Sequence, residues 1–173
     1  TTMRTAGFNT IDYSQMSPSS VLLSITLMMI GGSPGSTAGG IKTTTIAVIF
    51  IAMVSMAKGN SDTTIFKKRL GKALVKQAAV IIIVYLTYVV IGTMLICHIE
   101  GISLASASFE TTSAVCTVGV TMGITPALGT ISRLLLILFM FSGRIGGFSL
   151  MLVLGELDKQ PPMKRPKEKI LIG

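Results

Sequence analysis

The sequence contains one short pattern twice, as Thr5-Ala6-Gly7-Phe8-Asn9 and as Cys116-Thr117-Val118-Gly119-Val120-Thr121. In each copy a threonine stands two residues before a glycine, and an apolar stretch follows. Because glycine has no Cβ, it lets successive backbone carbonyls turn toward one axis, a geometry that most residues resist. The pattern therefore predicts two loops whose carbonyl oxygens face a shared axis.

The chemistry of such loops is ion coordination. The second copy begins Thr-Val-Gly, like the Thr-Val-Gly-Tyr-Gly loop whose carbonyls replace the hydration shell of potassium. Neither copy has the full five-residue signature, which predicts a shorter or weaker filter. Since about four loops are needed to surround an ion, the two missing loops indicate half of a longer polypeptide or a half-size subunit that pairs with another. The filter candidates are Thr5, Ala6, Gly7, Phe8, Thr117, Val118, Gly119 and Val120.

The composition is that of a membrane protein. Half of the residues are hydrophobic, 13% are charged, Trp is absent and the mean hydropathy is +0.73. A soluble domain carries roughly 25% charged residues. The net charge of +8 is concentrated at the ends of apolar segments, which is typical of cytoplasmic loops and argues against nucleic-acid binding. The basic residues form two groups: Lys58, Lys67, Lys68, Arg69, Lys72 and Lys76, and then Lys159, Lys164, Arg165, Lys167 and Lys169.

Hydropathy divides the chain into membrane elements. Residues 77–99 and 130–155 are long enough to cross a bilayer, whereas Leu104–Val115 is too short and predicts a re-entrant helix before the second filter loop. With both basic groups inside, every element fits one orientation. The predicted units are residues 1–57 (a filter loop and a broken exit helix, incomplete at its start), residues 58–76 (a cytoplasmic basic loop), residues 77–155 (a helix–pore-loop–helix repeat) and residues 156–173 (a cytoplasmic tail).

Several segments together resemble one known family. They are Arg4 through Thr10, Gly31 through Thr45, Thr117-Val118-Gly119, Gly143-Arg144-Ile145-Gly146 and Arg165 through Gly173. In this order they are similar to the C-terminal half of the membrane subunit of the Ktr/Trk potassium-uptake family, closer to Ktr than to Trk. The resemblance implies an all-α membrane protein with helix–pore-loop–helix repeats around a pseudo-four-fold potassium-channel-like pore. This chain would supply the third filter loop and the fourth repeat.

A glycine-rich break interrupts the apolar stretch 21–57. The resemblance implies that it forms an intramembrane gate loop below the filter. Pro34 removes a backbone donor and clashes with the preceding turn, and the glycines make unwinding easier. The alternative is a static kink, although a kink needs only one Pro or a Gly pair. A phosphate-binding loop is disfavoured because Ile41 displaces Lys42 from its place in that motif. The predicted gate residues are Gly31, Gly32, Ser33, Pro34, Gly35, Ser36, Thr37, Ala38, Gly39 and Gly40.

Charged residues inside the apolar segments are candidates for function. Each exit helix is predicted to carry a glycine-rich break with a cation, Lys42 in one and Arg144, within residues 142–147, in the other. A charge at mid-span costs on the order of 3 kcal/mol or more. The resemblance implies that Arg144 lines the pore, the alternative being a cap on loop carbonyls, whereas Lys42 either lines the pore or snorkels to the cytoplasmic side.

Three acidic residues are predicted to differ in position and role. Glu110, in the short helix, either attracts cations or supports the filter through neighbours such as Thr111 and Ser113, and the second reading is favoured. Asp12 and Glu100 are expected on external loops, in contact with solvent.

The resemblance implies potassium uptake across the bacterial plasma membrane by a multi-pass protein whose C-terminus is cytoplasmic. Potassium would be the permeant ion, and a role for sodium as a stimulating or coupled ion is left open. No catalytic constellation, covalent cofactor or other metal site is expected. The implied partners are the N-terminal half of the subunit, a second copy in a homodimer, a cytoplasmic nucleotide-binding regulatory ring and the lipid bilayer, with no nucleic acid.

Two other classes remain open on the sequence alone. One is a secondary transporter whose broken helices bind an anionic substrate through half-helix N-termini. The other is a non-conducting membrane scaffold or remnant, since only half of a pore is present.

Overall fold

The described residues form helices that are joined by loops. The computed structural model describes residues 5–8, 13–36, 38–58, 64–65 and 68–145. The described residues include two short 3-10 turns, at Tyr13–Gln15 and at Thr125–Ala127. The elements in the described residues are α1 (Pro18–Met29), α2 (Thr43–Ala57), β1 (Thr64–Ile65), β2 (Lys68–Arg69), α3 (Lys72–Glu100), α4 (Leu104–Val115) and α5 (Thr130–Ile145).

The longest helix, α3, has the dimensions of a membrane span. At about 1.5 Å per residue, its 29 residues exceed the roughly 30 Å hydrocarbon core of a bilayer. Among the helices of the described part of the chain, only α3 is long and apolar enough to cross a membrane. It begins at Lys72, so the prediction of a loop through residue 76 is wrong at its end. Lysines form helix well, and the first turn of α3 extends beyond the apolar segment on which the prediction relied.

The basic segment before α3 contains the chain's described β structure. Strands β1 and β2 pair antiparallel, with Thr64 opposite Arg69 and Ile65 opposite Lys68. This hairpin lies within the predicted basic loop 58–76.

Helix α4 has the bounds that the sequence predicts, and it occupies the centre of the structure. It packs against α1, α3 and α5, and Ser103 caps its N-terminus by accepting a hydrogen bond from the Ser106 N–H at 3.3 Å. The residues from Phe109 through Cys116 are all buried. A helix whose C-terminal part is buried can hold the following loop at a defined depth, and α4 leads directly into the second predicted filter loop.

Close approach of α3 to α4 depends on Gly92. A Cβ at this position would lie 2.5 Å from Thr111 Cγ2 and 2.7 Å from Phe139 Cε2. Since real Cβ atoms do not approach other atoms so closely, a larger residue here would separate α3 from both α4 and α5. Gly92 is thus a packing residue, at the point where three helices meet.

Helix α5 is continuous through its last described residue, Ile145. The predicted break at residues 142–147 is therefore wrong as far as residue 145, because Ser142, Gly143 and Arg144 all lie within the helix. Residues 146 and 147, the end of the predicted span at 155 and the tail 156–173 lie outside the described residues.

Glu100 lies at the junction of two helices. Its Oε1 accepts hydrogen bonds from the Gly129 N–H at 2.9 Å and the Ser132 hydroxyl at 2.5 Å. The expectation of a loop residue is wrong, since Glu100 is the last residue of α3 and its carboxylate binds the start of α5, whereas the expected contact with solvent is consistent with its partial exposure. A carboxylate is favourable at a helix N-terminus, where backbone N–H groups are unpaired. Asp12 lies outside the described residues.

Candidate ion-filter site and adjoining loop

The two copies of the glycine pattern lie side by side. A Cβ added to Gly119 would be 3.7 Å from the Gly7 Cα, and a Cβ added to Gly7 would be 3.2 Å from the Val118 carbonyl oxygen. The structure thus brings together two loops that are far apart in sequence, at the glycines that the sequence singles out.

The two loops also share an unusual backbone conformation. Thr5 has φ = 49° and Thr117 has φ = 53°, and they are the only non-glycine residues with positive φ in the described part of the chain. Positive φ is unfavourable for a β-branched residue. The glycines two positions later match as well, with φ = 68° at Gly7 and 84° at Gly119. When left-handed residues alternate with ordinary ones, successive carbonyls turn toward the same side.

In the second loop, the side chains on either side of the glycine are buried, whereas the glycine itself is exposed. Val118 and Val120 are each 2% exposed, whereas Gly119 is exposed. The valine side chains therefore anchor the loop in the protein core, and the glycine backbone between them is open. In the first loop, Phe8 is 77% exposed, so its ring is not held by the described residues.

Helix α4 supports the second loop through its last turn. The Thr117 N–H donates to the Ala114 carbonyl at 3.0 Å, and the Val118 N–H donates to the Ser113 carbonyl at 2.8 Å. The Ser113 hydroxyl donates to the Val120 carbonyl at 2.6 Å. The loop is thus held to the C-terminal end of α4, where the helix dipole places partial negative charge.

The segment after the filter is held by Glu110, which is 4% exposed. Its carboxyl group accepts hydrogen bonds from the Met122 N–H at 3.0 Å, from the Thr125 hydroxyl at 3.0 Å and from the Thr121 hydroxyl. These partners follow the filter in the chain and differ from the neighbours that the sequence favours, Thr111 and Ser113.

A loop connects α1 to α2, closed at its base. Ile30 and Ile41 form an isolated parallel bridge, and the Gly31 N–H donates to the Ile41 carbonyl at 2.8 Å. A Cβ at Gly31 would overlap the Gly39 carbonyl, so the two sides of the base meet backbone to backbone. These contacts explain why glycines stand at both ends of the predicted gate segment.

The tip of the same loop is a tight turn. The Ser36 N–H donates to the Ser33 carbonyl at 3.1 Å, and Gly35 has φ = 81°. Pro at the second and Gly at the third position are typical of a type II turn. Residues 33–36 are exposed, while Thr37 lies outside the described residues.

The loop touches the filter at Gly39. A Cβ there would overlap both the Thr117 Oγ1 and the Cys116 carbonyl oxygen. The Gly39 backbone is therefore in close contact with the Cys116 carbonyl and the Thr117 side chain, at the start of the second predicted filter loop.

The two predicted cations lie beside this loop. The Lys42 ammonium group donates to the Ser36 carbonyl at 3.1 Å and to the Ala38 carbonyl at 2.5 Å. Arg144 lines a cavity of about 360 Å³ together with Lys42 and loop residues 36 and 38–40. Lys42 thus acts within the structure as a cap on loop carbonyls.

Sequence reasoning missed residues that shape this region. A Cβ on Gly143 would overlap the Val115 carbonyl, so α5 packs directly on the end of α4, and the Tyr85 hydroxyl donates to the Gly143 carbonyl at 3.3 Å. A glycine in an apolar helix is a weak signal of close packing, and nothing in the sequence pairs it with residue 85 or 115.

Known proteins share both the fold and the sequence. The TrkH family, described as cation transport proteins, matches residues 1–161. The crystal structure of the potassium transporter TrkH from Vibrio parahaemolyticus superposes with a TM-score of 0.75 at 20% identity, covering 88% of this chain and 35% of that one. The fold of this chain is therefore similar to the helical fold of the matching part of that protein.

Two relatives with similar sequences are also named as uptake proteins. Potassium/sodium uptake protein NtpJ of Enterococcus hirae is 39% identical over 99% of this chain and 40% of its own length. Ktr system potassium uptake protein D of Bacillus subtilis is 35% identical over 100% of this chain and 38% of its own length. The chain thus spans about two fifths of these relatives. It belongs to the TrkH family of cation transport proteins, which confirms the kinship expected from the sequence.

Proposed function

We propose that this chain forms part of a potassium-uptake pore of the bacterial plasma membrane, in which residues 5–8 and 117–120 supply two of about four filter loops. The observation that carries the proposal is the matched backbone of the two segments. Each has a threonine and a glycine at positive φ, and the glycines lie against each other. Strain in a β-branched residue persists only where the surrounding structure maintains it, and such positions cluster at functional sites.

In this proposal, only a few carbonyls of the second loop are available to coordinate an ion. The Val120 carbonyl accepts the Ser113 hydroxyl at 2.6 Å, so it is occupied inside the protein. The carbonyls available to an ion are those before it, from Thr117 through Gly119. This fits the short filter that the sequence predicts, and the partial negative charge at the end of α4 favours a cation there.

Gating is assigned to the loop between α1 and α2. This assignment is supported by three features of the loop, which are its exposed tip, its base of paired backbone without helical structure, and its contact with Thr117. Irregular backbone at membrane depth is tolerated where it lines a wet cavity. In this proposal the loop blocks the ion path below the filter. Lys42 and Arg144 line a cavity next to the loop, and their positive charges limit the passage of cations through it.

The remaining features follow the relatives. Ktr system protein D is named a potassium uptake protein and NtpJ a potassium/sodium uptake protein, so potassium is proposed as the permeant ion, with sodium as the ion to test for stimulation. The proposed assembly adds the other half of the subunit, a second copy and a cytoplasmic nucleotide-binding ring. Residues 58–76 and the tail 156–173 are proposed to face the cytoplasm.

The test is rubidium or potassium uptake into bacteria that lack their own potassium-uptake systems and express the complete subunit with its regulatory partner. We expect potassium-selective uptake by the wild type and a loss of selectivity in Gly119→Ser, because a Cβ at φ = 84° strains the filter backbone.

Gly101→Ser is the matched control. Gly101 has φ = 64° and a Cβ there meets no atom within 4 Å, so it imposes comparable backbone strain at the end of α3, away from the filter. Uptake that stays selective in Gly119→Ser would contradict the filter assignment. No uptake by a well-expressed, membrane-inserted wild type would favour the scaffold class.

A further inference from the structure

We infer that Glu110 is a positioning residue for the second filter loop, acting together with Ser113 on one face of α4; this inference rests on the proposed function. The two residues stand three positions apart on the helix and therefore on the same face. Glu110 holds the chain after the filter, through Thr121, Met122 and Thr125. Ser113 holds the filter itself.

The loop is fastened on both sides of Gly119. Before the glycine, the Ser113 carbonyl accepts the Val118 N–H at 2.8 Å, and after it the Ser113 hydroxyl donates to the Val120 carbonyl at 2.6 Å. Glu110 then binds the next residues through both carboxyl oxygens. A carboxyl group that accepts several hydrogen bonds fixes the positions of its donors more strongly than a single neutral bond does.

Packing alone does not hold the loop in place. A cavity of about 270 Å³ lies behind it, lined by Glu110, Ser113, Gly119, Thr125 and Leu136 among others. Because atoms of α5 do not fill this space, the loop can shift toward α5 unless the hydrogen bonds to α4 resist the movement. The position of the filter carbonyls, and with it the fit to a dehydrated ion, therefore depends on these polar contacts in addition to the buried side chains of Val118 and Val120.

The connection runs from a buried carboxyl group to partly exposed hydroxyls. Glu110 is 4% exposed, whereas Thr121 and Thr125 are half-buried. The two threonine hydroxyls lie 2.8 Å apart, and the Thr121 Oγ1 also accepts the Gly123 N–H at 2.9 Å. One carboxyl group thus organises the whole turn that follows the filter.

The experiment measures the preference for potassium over sodium. A variant that only folds less well yields less active protein, but its preference between the two ions is unchanged. In the complete subunit with its regulatory partner, KM for potassium entry and KM for sodium entry are each measured for the wild type, Glu110→Ala, Glu110→Gln and Thr125→Val. We expect Glu110→Ala to lower the preference for potassium over sodium about tenfold, and Thr125→Val, which removes one bond isosterically, about threefold. Glu110→Gln keeps the shape and an acceptor oxygen, so it should stay within about twofold of the wild type.

Glu100→Ala is the control, because Glu100 also accepts an N–H and a hydroxyl but joins α3 to α5 at a distance from the filter. It should change expression or maximal rate without changing the ion preference. If Glu110→Ala does not fold, Thr125→Val still decides, since its half-buried position tolerates valine.

Unchanged preference in Thr125→Val, equal loss in Glu100→Ala, or a loss in Glu110→Gln as large as in Glu110→Ala would each overturn the inference. The last result would mean that the charge itself acts on the ion. These outcomes presuppose a wild type that takes up potassium. A wild type without uptake overturns the proposed function, and this inference with it.

Discussion

At the scale of single residues, the most distinctive feature of the candidate filter site is the backbone conformation of two threonines. Thr5 and Thr117 adopt positive φ at matching positions of the two loops. For an L-residue the left-handed region costs roughly 1–2 kcal/mol. Contacts must supply that energy, and at Thr117 they come from the end of α4 and from Gly39. Strain of this kind is local, and its relief would move the carbonyls of the same residues.

A prediction at this scale concerns Gly143. Replacing a helical glycine by alanine ordinarily stabilises a helix by about 1 kcal/mol. Here the new Cβ would overlap the Val115 carbonyl, and backbone atoms cannot rotate away. Overpacking typically costs about 1–3 kcal/mol, so Gly143→Ala should lower the midpoint of thermal denaturation of the purified subunit by several degrees.

The control for this change is Gly71→Ala. Gly71 precedes α3 with φ = −63°, and a Cβ there meets no atom within 4 Å. Because Gly71 is the N-cap of α3, where Ala is less favourable than Gly, the denaturation midpoint of this variant should fall slightly, and by clearly less than that of Gly143→Ala. A Gly143→Ala protein as stable as the wild type would show that α5 does not press on the end of α4.

At the scale of elements, the connection between α1 and α2 is the segment that we propose as a gate. Its base is held by backbone pairing at Ile30 and Ile41, and its tip is exposed. Between them, the ammonium group of Lys42 bonds two carbonyls of the same loop. Local opening requires few buried contacts, and here one lysine supplies two of the bonds that oppose it.

Lys42→Met therefore should free the loop. A hydrogen bond to a charged group contributes about 1.5–3 kcal/mol, and part of this is recovered from water when the carbonyls are exposed. We expect uptake without the regulatory partner to rise on the order of fivefold, measured as the initial rate of rubidium entry.

Lys58→Met is the matched control, since Lys58 is an exposed lysine at the end of α2. Its uptake without the regulatory partner should equal that of the wild type. A fall or no change in Lys42→Met would mean that the lysine does not hold the loop closed.

At the scale of the whole molecule, apolar surface dominates. The described helices expose many large apolar side chains, which water would not tolerate over so wide an area. Lipid and the remainder of the subunit are the surroundings that suit them. Examples on four helices are Leu22, Leu23, Phe50, Met53, Ile83, Val90, Ile91, Met94, Leu134, Ile137, Leu138 and Phe141.

The proposed orientation leads to a labelling prediction. Cysteine is introduced at Ala127, in the 3-10 turn between the filter and α5, or at Lys58, after α2; both positions are exposed. A membrane-impermeant maleimide should label Ala127→Cys on intact cells and Lys58→Cys only after permeabilisation, because the charge bias places the basic side in the cytoplasm.

The parent protein, with Cys97 and Cys116 in place, gives the background for this experiment. The reverse pattern of labelling would invert the orientation, and labelling of both positions on intact cells would mean that the two positions do not lie on opposite sides of the membrane.

Much of the architecture was predictable because it depends on local chemistry. The bounds of α4 were predicted from the short segment that lies between the apolar span ending at residue 99 and the Thr117-Val118-Gly119 loop. The break before α2 follows from Pro34 and its glycines. The matched backbone of the two loops follows from a repeated Thr-x-Gly, and their role as an ion filter stays a prediction. The start of α3 was misplaced because hydropathy marks the apolar part of a helix and ignores a first turn of good helix formers.

The sequence by itself determined the family, the apolar helices, the short central helix and the glycines of both loops, since each depends on residues close together in the chain. Only the tertiary structure decided that Gly39 rests on Thr117, that Gly143 rests on Val115, and that Glu110 binds the turn after the filter. These contacts join residues on different helices or loops. They depend on how the helices pack, and packing leaves no periodic pattern in the sequence.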